Sequence, residues 1–206
     1  MVRRDGESLI AVDPSAVRRF ANEKREDVMS VRRVVTGTSG GKSKIVSDGG
    51  TRRSKAFKNI PGQSAALLWS TPALPTLPID GADVISETST YLPLQPGETR
   101  LMVVTFAPDS VFATIDPAAG FQEFAEHVPD LAATMEPENP GMHRTQTVDY
   151  GIVLEGEVWA ELDDGKEAHL KPHDIIIQNG TRHAWRNKSD KPVKIAFVLI
   201  GAQAKN

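Results

Sequence analysis

The sequence predicts an all-β, antiparallel protein whose sheet-forming core lies in its C-terminal third. Six short apolar or alternating segments follow one another between residues 142 and 201: HRTQTVDYGIVL, EVWAELD, EAHLK, DIIIQ, RHAWRN and VKIAFVLIG. Turn signals such as Asp-Asp-Gly at 163–165 and Asn-Gly-Thr at 179–181 separate them, and no helical pattern interrupts them. Since parallel strands need long crossover connections, this spacing indicates an antiparallel sandwich or barrel.

The sequence N-terminal to this region predicts helices and strands at wider spacing. Residues 13–29 have an aspartate N-cap and Pro14 at the first helical position, which predicts a short amphipathic helix. Residues 31–46 predict a hairpin around a glycine-rich turn, and 64–71 and 100–108 predict strands. The proline-rich stretch up to Thr99 predicts an irregular arm. Residues 117–136 have helical apolar spacing, which Pro129 should kink or divide.

These elements suggest three parts of the chain. Residues 1–30 form a basic helical extension. Residues 31–140 contribute strands, the proline-rich arm and a helical segment that packs on the barrel. Residues 141–206 form the barrel core.

Composition narrows the function classes. The 206 residues include no cysteine, which excludes disulfides, iron–sulfur clusters, thiolate zinc sites and a cysteine nucleophile. No apolar run approaches the roughly 20 residues that a membrane-spanning helix needs, and no signal-peptide pattern opens the chain. We therefore expect a cytoplasmic protein without a membrane partner.

Charge divides the chain into two parts. Residues 1–58 hold 14 Lys and Arg against 7 Asp and Glu, whereas residues 59–206 hold 10 against 20. The arginine pairs of the basic part lie scattered between acids and lack interleaved aromatic residues, which argues against nucleic-acid binding. We interpret the basic part as a surface that contacts the acidic part or a second subunit.

Two motifs in the C-terminal region resemble those of the cupin family. The run HRTQTVDYGIVLEG places His143 at the first histidine of the family's first motif, Thr145 at its second histidine, Asp149 at its glutamate and Gly156 at its closing glycine. The resemblance implies a double-stranded β-helix, the jelly-roll or cupin barrel, here with N-terminal helical and strand extensions.

The second motif is matched in its latter part. In the run QNGTRHAWRN, Gly180, His183 and Asn187 fall in register, while Gln178 replaces the family's proline. The two motifs and the strands between them cover roughly a third of the chain. The amino-acid sequence of the two motifs is similar to that of a subgroup of small single-domain cupins of bacteria and fungi. Some fungal members accompany polyketide pathways and are described as oxidoreductases.

Strand geometry gathers chemically active side chains independently of the resemblance. Residues two apart share a face, so His143, Thr145, Asp149 and Val153 point one way, and His183 and Trp185 share a face on a later strand. Two imidazoles and one carboxylate are enough to hold a divalent metal with open positions. We predict His143, Asp149 and His183 as ligands of Fe, Mn, Zn or Ni. Thr145, Val153 and Trp185 are the predicted substrate-pocket residues.

Departures from the family pattern keep an alternative open. Cupin metal sites commonly have three histidines and one glutamate. Here Thr145 removes one imidazole and Asp149 shortens the carboxylate by a methylene. The two hypotheses are a metal-dependent cupin enzyme of oxygenase or oxidoreductase type, acting on a small organic substrate of aromatic or polyketide-like character, and a metal-free cupin that binds a small molecule without catalysis.

The opposite face of the first barrel strand predicts a covered surface. Val148, Tyr150, Ile152 and Leu154 form an apolar row, and large exposed apolar patches are uncommon on monomers. Either strands from the N-terminal region or a second subunit should cover this row. The sequence therefore predicts a homodimer as one of two ways to bury it.

Overall fold

The computed structural model describes residues 31–78 and 83–205. The strands of the described part are β1 (Arg33–Ser39), β2 (Lys42–Gly49), β3 (Ser54–Ala56), β4 (Ser64–Thr71), β5 (Thr99–Phe106), β6 (Thr147–Glu155), β7 (Val158–Glu161), β8 (Glu167–Leu170), β9 (Ile175–Asn179), β10 (Ala184–Arg186) and β11 (Val193–Gly201). Its α-helices are α1 (Asp109–Phe112), α2 (Pro117–His127) and α3 (Pro129–Ala132). The helix predicted at 13–29, like the whole extension 1–30, lies outside the described residues.

Two antiparallel sheets build the body of the protein. The larger has the strand order β3-β4-β5-β11-β6-β9, and the smaller has the order β10-β7-β8. Two isolated β-bridges lie beside the smaller sheet. One joins His143 to His183, the residue before β10, and the other joins His143 to Met135. The predicted all-β antiparallel fold is therefore confirmed.

Alternation along the central strands creates the core between the sheets. In β11 every second side chain is buried, namely Val193, Ile195, Phe197 and Leu199. The inward positions of β6 are likewise buried, whereas Tyr150 and Leu154 on its other face are exposed. A period of two fits a strand with one face in the core.

The N-terminal strands belong to the same large sheet. β4 pairs with β5, and β5 pairs with β11. Residues 64–68 of β4 are buried at every position, because Val31 packs on the outer face while the core lies on the inner face. Burial on both faces explains why this strand appears in the sequence as a continuous apolar run.

A helical segment closes one side of the body. The Asp116 side chain caps α2 by accepting hydrogen bonds from the first-turn N–H groups, and Pro129 starts α3, so the proline divides the helix as expected. Glu123, on α2, is buried and accepts hydrogen bonds from Lys58 N at 2.9 Å and Asn59 N at 2.7 Å. These bonds tie the helix to the loop after β3.

The proline-rich arm is irregular, as predicted, but it is not detached from the body. Residues 83–98 contain no strand or helix, yet Ile85 and Tyr91 are buried in the main core. The Tyr91 hydroxyl donates to the backbone carbonyl of Arg53 at 3.3 Å. No helix in the described part of the chain is long and apolar enough to cross a bilayer.

Candidate functional site

A cavity of about 100 Å³ lies between the two sheets, beside the helical segment. Its wall is mainly apolar and comes from the inner face of the large sheet, from β10, from α2 and α3, and from the proline-rich arm. The lining residues are Phe57, Gln63, Ala65, Tyr91, Met102, Val104, Phe106, Phe124, Val128, Leu131, Met135, His143, Thr145, Asp149, His183, Trp185, Phe197 and Leu199.

Two buried histidines face each other in the wall of this cavity. His143 N donates to His183 O at 2.9 Å, and His183 N donates to His143 O at 3.0 Å. This bridge fixes the two backbones side by side, with the ring centroids 4.3 Å apart and the ring planes 50° apart. The strand pairing therefore brings together two residues that are 40 positions apart in the sequence.

The hydrogen bonds of the two rings set their tautomers. Nδ1 of His143 lies 3.0 Å from Gly141 O, and Nδ1 of His183 lies 2.8 Å from Thr181 O. A carbonyl oxygen only accepts, so each Nδ1 carries the hydrogen and each neutral ring keeps its lone pair on Nε2. Histidines that ligate metals are commonly oriented by such a bond from the other ring nitrogen.

Burial keeps both rings neutral. Loss of water contact lowers the pKa of His183 to about 4, with a further contribution from the neighbouring His143. The pKa of His143 is also lowered by burial, against a smaller opposing effect of the hydrogen bond to Gly141. Near neutral pH the pair therefore offers two unprotonated nitrogen atoms.

Asp149 adds a carboxylate to the same cavity. It lies on the inner face of β6 and is 6% exposed, and its Oδ1 makes no hydrogen bond with a described residue. Burial raises the pKa of Asp149 to about 6, although a hydrogen bond from Thr147 acts in the other direction. An unpaired carboxylate oxygen in an apolar wall is costly, so this atom is suited to a ligand or an ion.

Thr145 and Trp185 complete the polar end of the cavity. The hydroxyl groups of Thr145 and Thr147 are hydrogen-bonded to each other, with the two oxygen atoms 2.8 Å apart. Trp185 meets His183 edge-on at 5.4 Å and packs against Phe197 at 5.3 Å. The indole thus forms a wall between the histidine pair and the apolar part of the cavity.

Five of the six residues singled out in the sequence lie in this cavity wall, and Val153 does not. His143, Thr145, Asp149, His183 and Trp185 line the cavity. Val153 faces inward on β6 but lies further along the strand, where it is 1% exposed and belongs to the main core cluster. Alternation fixes the face of a side chain but not its depth along the strand, so Val153 is a core residue.

Several wall residues carry no signal in the motifs. Tyr91 lies in the proline-rich arm. Phe57 and Gln63 lie in the loop between β3 and β4, and Met135 follows α3. An aromatic residue in an otherwise proline-rich and polar arm is the one signal that singles out Tyr91. The other three could be found only from the tertiary arrangement.

The remaining histidines lie away from the cavity wall. His169 stacks on Trp159 with the rings 4.1 Å apart, and its Nε2 lies 2.8 Å from Glu157 Oε2 on the surface. His173 occupies a turn with a φ of 76°, and His127 ends α2. None of the three lines the cavity.

The donor set fits a divalent metal in chemical type. It comprises two Nε2 lone pairs and an unpaired carboxylate oxygen on one cavity wall, which are ligand atoms used for Fe, Mn, Zn and Ni. Within residues 31–78 and 83–205, however, three His, Asp or Glu side chains do not converge into a ready ligand cluster. The two imidazoles are therefore the pre-oriented part of the site.

Comparison with known proteins agrees with this geometry. The family model of the cupin domain matches residues 132–200. A phomopsin biosynthesis cluster protein of Diaporthe leptostromiformis is 52% identical over 73 residues, which cover 29% of this chain and 39% of that protein. A cupin-domain-containing oxidoreductase of Aspergillus ruber is 39% identical over 66 residues, or 31% of this chain and 32% of that protein. The chain thus spans less than two fifths of these curated relatives.

A solved structure is also similar to this chain, at low sequence identity. The Cupin 2 conserved barrel domain protein from Salinispora arenicola is 13% identical, with a TM-score of 0.37, and the match covers 71% of this chain and 81% of that one. The motif-bearing strands and the histidine pair lie within the residues that the family model matches. Residues 132–200 are therefore identified as a cupin domain of the cupin-2 type.

Proposed function

We propose that this chain is a metal-dependent cupin oxidoreductase that acts on a small organic molecule. The observation that carries the proposal is the pair of buried, neutral histidines whose Nε2 lone pairs are left unused in the wall of an apolar cavity. Relatives from Aspergillus ruber and Hypocrea virens that are described as cupin-domain-containing oxidoreductases support the reaction class.

His143 and His183 would hold the metal through Nε2, and Asp149 would supply the anionic ligand. When bound, Fe, Mn, Zn or Ni supplies Lewis acidity, and Fe or Mn also supplies a redox centre for oxygenase chemistry with dioxygen. The hydrogen bonds from the two Nδ1 atoms to Gly141 and Thr181 hold the rings for this role before any ligand arrives.

The apolar wall selects the substrate and excludes water. A volume of about 100 Å³ is well below the roughly 300–1,000 Å³ of pockets for drug-sized ligands. It suits a single small ring or a short chain, stacked against Trp185 and Phe197. The Thr145 hydroxyl, which lines the cavity, can form a hydrogen bond with an oxygen atom of the substrate.

Reconstitution tests the proposal. Metal-stripped protein is reloaded separately with Fe(II), Mn(II), Zn(II) and Ni(II), and oxygen uptake is followed with a panel of single-ring phenols, alcohols and aldehydes. We expect substrate-dependent uptake with Fe or Mn, which is lost in His183→Ala and kept in the surface variant His169→Ala. Uptake that is equal in the metal-free protein or in His183→Ala would contradict the proposal.

A metal-free binding module is the second candidate function. The observation that favours it is the lack of convergence of Asp149 with the two histidines among the described residues. In this case the Nε2 atoms and Asp149 accept hydrogen bonds from a hydroxylated ligand. Such a ligand should raise the unfolding temperature by the same amount with and without a chelator, whereas a metal-dependent site should lose the shift in the chelator.

A further inference from the structure

The outer face of the large sheet carries a continuous apolar surface, remote from the cavity. One row runs across five strands by direct register, through Ala66, Val103, Ala196, Ile152 and Ile175. A parallel row runs through Leu101, Val198, Tyr150 and Ile177. Side chains at directly paired positions share one face of a sheet, so the two rows form one surface.

Among residues 31–78 and 83–205, only the β4–β5 end of this surface is covered within one copy. Val31 packs against Ala66, Leu68 and Val103 at the β4–β5 end. At the other end, four large side chains remain exposed on β6 and β9: Tyr150 at 42%, Leu154 at 42%, Ile175 at 62% and Ile177 at 49%. We call these four the β6–β9 patch. β9 is also the edge strand of the sheet, so its outer edge pairs with no other strand of the described part of the chain.

The β1–β2 hairpin is the second unpartnered element. Its base is fixed by Arg33, which donates to Leu68 O at 2.7 Å and pairs with Asp83. Beyond the base it forms its own two-stranded sheet and leaves Val34 46% and Ile45 65% exposed. Thr36 pairs with Ile45 and lies two residues after Val34, so Val34 and Ile45 share one face. An isolated hairpin is marginally stable in water, so it gains from a partner.

Charge complements this apolar match. Residues 1–30 hold six basic and six acidic residues, so the prediction that this extension is basic is wrong. The basic excess of the N-terminal part lies within residues 31–58, which hold eight Lys and Arg against one Asp. Lys42 and Lys44, near the hairpin turn, form no ion pair with another described residue. Glu155 at the end of β6 pairs with Lys194 at 2.9 Å but keeps 69% of its side chain exposed. Glu157 lies 2.8 Å from His169 and is 41% exposed, so both carboxylates remain accessible to a further cation.

We propose that the β1–β2 hairpin of one copy lies across the β6–β9 patch of a second copy. Within one copy the hairpin and the patch are both exposed, so the hairpin does not cover its own sheet. In a two-fold symmetric dimer this contact occurs twice, because each copy has one hairpin and one patch. Val34 and Ile45 bury the apolar side chains, while Lys42 and Lys44 meet the acidic end of β6.

Cross-linking between single variants tests which surfaces meet, because the natural chain has no cysteine. Full-length Ile45→Cys and Ile177→Cys are mixed and oxidised, and the disulfide-linked dimer is measured. We expect a mixed dimer in good yield, and a yield at least tenfold lower when Leu74→Cys, an exposed site outside the patch, replaces Ile177→Cys. Equal yields in the two mixtures would overturn the proposal.

The oligomeric state of the full chain provides the second test. Light scattering after size exclusion should give a dimer whose dissociation constant rises at least tenfold in Ile177→Glu and in Lys42→Glu/Lys44→Glu, and not in Leu74→Glu. Added salt should weaken the native dimer. Circular dichroism shows whether each variant is folded.

Three results would overturn the proposal. The first is a native chain that stays monomeric across the micromolar range. The second is a dimer that responds to Ile177→Glu but not to the hairpin variant, which excludes the hairpin as the occupant. The third is a monomer that loses thermal stability when residues 1–30 are deleted, which assigns the patch to the chain's own N-terminal segment.

Discussion

Asn187→Ala is expected to destabilise the fold while leaving the cavity residues in place. Asn187 is 1% exposed, and its Nδ2 donates to Phe106 O at 3.0 Å and to Lys191 O at 2.8 Å. Its Oδ1 accepts from Ser189 N at 3.1 Å and from Ser189 Oγ at 2.7 Å. The side chain therefore joins the end of β5 to the loop between β10 and β11.

The size of the effect follows from these four bonds. A net hydrogen bond contributes about 0.5–1.5 kcal/mol, and a buried group that loses its partner costs more than a group that reaches water. The two Ser189 bonds lie near solvent, so we expect a loss of about 3 kcal/mol in the free energy of unfolding. For a chain of this size that corresponds to a fall of roughly 6–12 °C in the unfolding temperature.

Denaturant and thermal unfolding measure this loss, with two further variants as controls. Asn187→Asp keeps the shape but places a carboxylate oxygen against two backbone carbonyl oxygens, so it should lose at least as much stability as Asn187→Ala. Ser189→Ala removes only hydroxyl bonds near solvent and should cost less than about 1 kcal/mol. If Asn187→Ala stays within about 1 kcal/mol of the native protein, the structural role of this motif position is refuted.

Three other perturbations have definite expected outcomes. In Gly151→Ala the new Cβ would lie 2.8 Å from Ile176 Cγ2 and 3.1 Å from the Phe197 ring, so unfolding measurements should give a loss of about 1–3 kcal/mol, and no loss would contradict this packing. Burial acts to raise the pKa of Glu123, but hydrogen bonds from two backbone N–H groups outweigh it and the pKa is lowered. The resulting stability is present above the ordinary glutamate pKa and is lost as pH falls through the pKa of the folded state. In Glu123→Gln the free energy of unfolding should therefore fall less steeply as the pH is lowered. An unchanged pH dependence would argue against this role. Thr145→His should tighten Zn(II) binding at least tenfold in a competition titration, because it adds an imidazole to the same wall, and unchanged affinity would place the metal elsewhere.

The fold could be predicted because its strands differ clearly in their side-chain pattern. β11 alternates strictly, β4 contains a continuous apolar run, and short turns separate the barrel strands. Pro129 divided the helical segment for the steric reason that the sequence suggests. The sequence pattern could not predict that the β1–β2 hairpin is exposed, because the exposure of a strand pair depends on which other parts of the chain pack against it.

The sequence predicted the polar residues of the candidate site but not most of the apolar residues that line its cavity. The spacing of His143 and Asp149, together with His183 on a later strand, indicated one inward face, and these side chains do line one cavity. Tyr91 was missed because it reaches the cavity from an irregular arm, where no period relates sequence to direction. The sequence likewise does not reveal that Asp149 and the two histidines do not form a ready ligand cluster among the described residues.

Metal content is the measurement that tests the central claim most directly. Protein purified without chelator is loaded with Fe(II) under anaerobic conditions and desalted, and metal per chain is determined by elemental mass spectrometry. The proposed site predicts close to one ion per chain in the native protein and in His169→Ala, and less than about a tenth of that in His143→Ala and His183→Ala. No bound metal in the native protein, or equal metal in the native protein and both cavity-histidine variants, would contradict the claim.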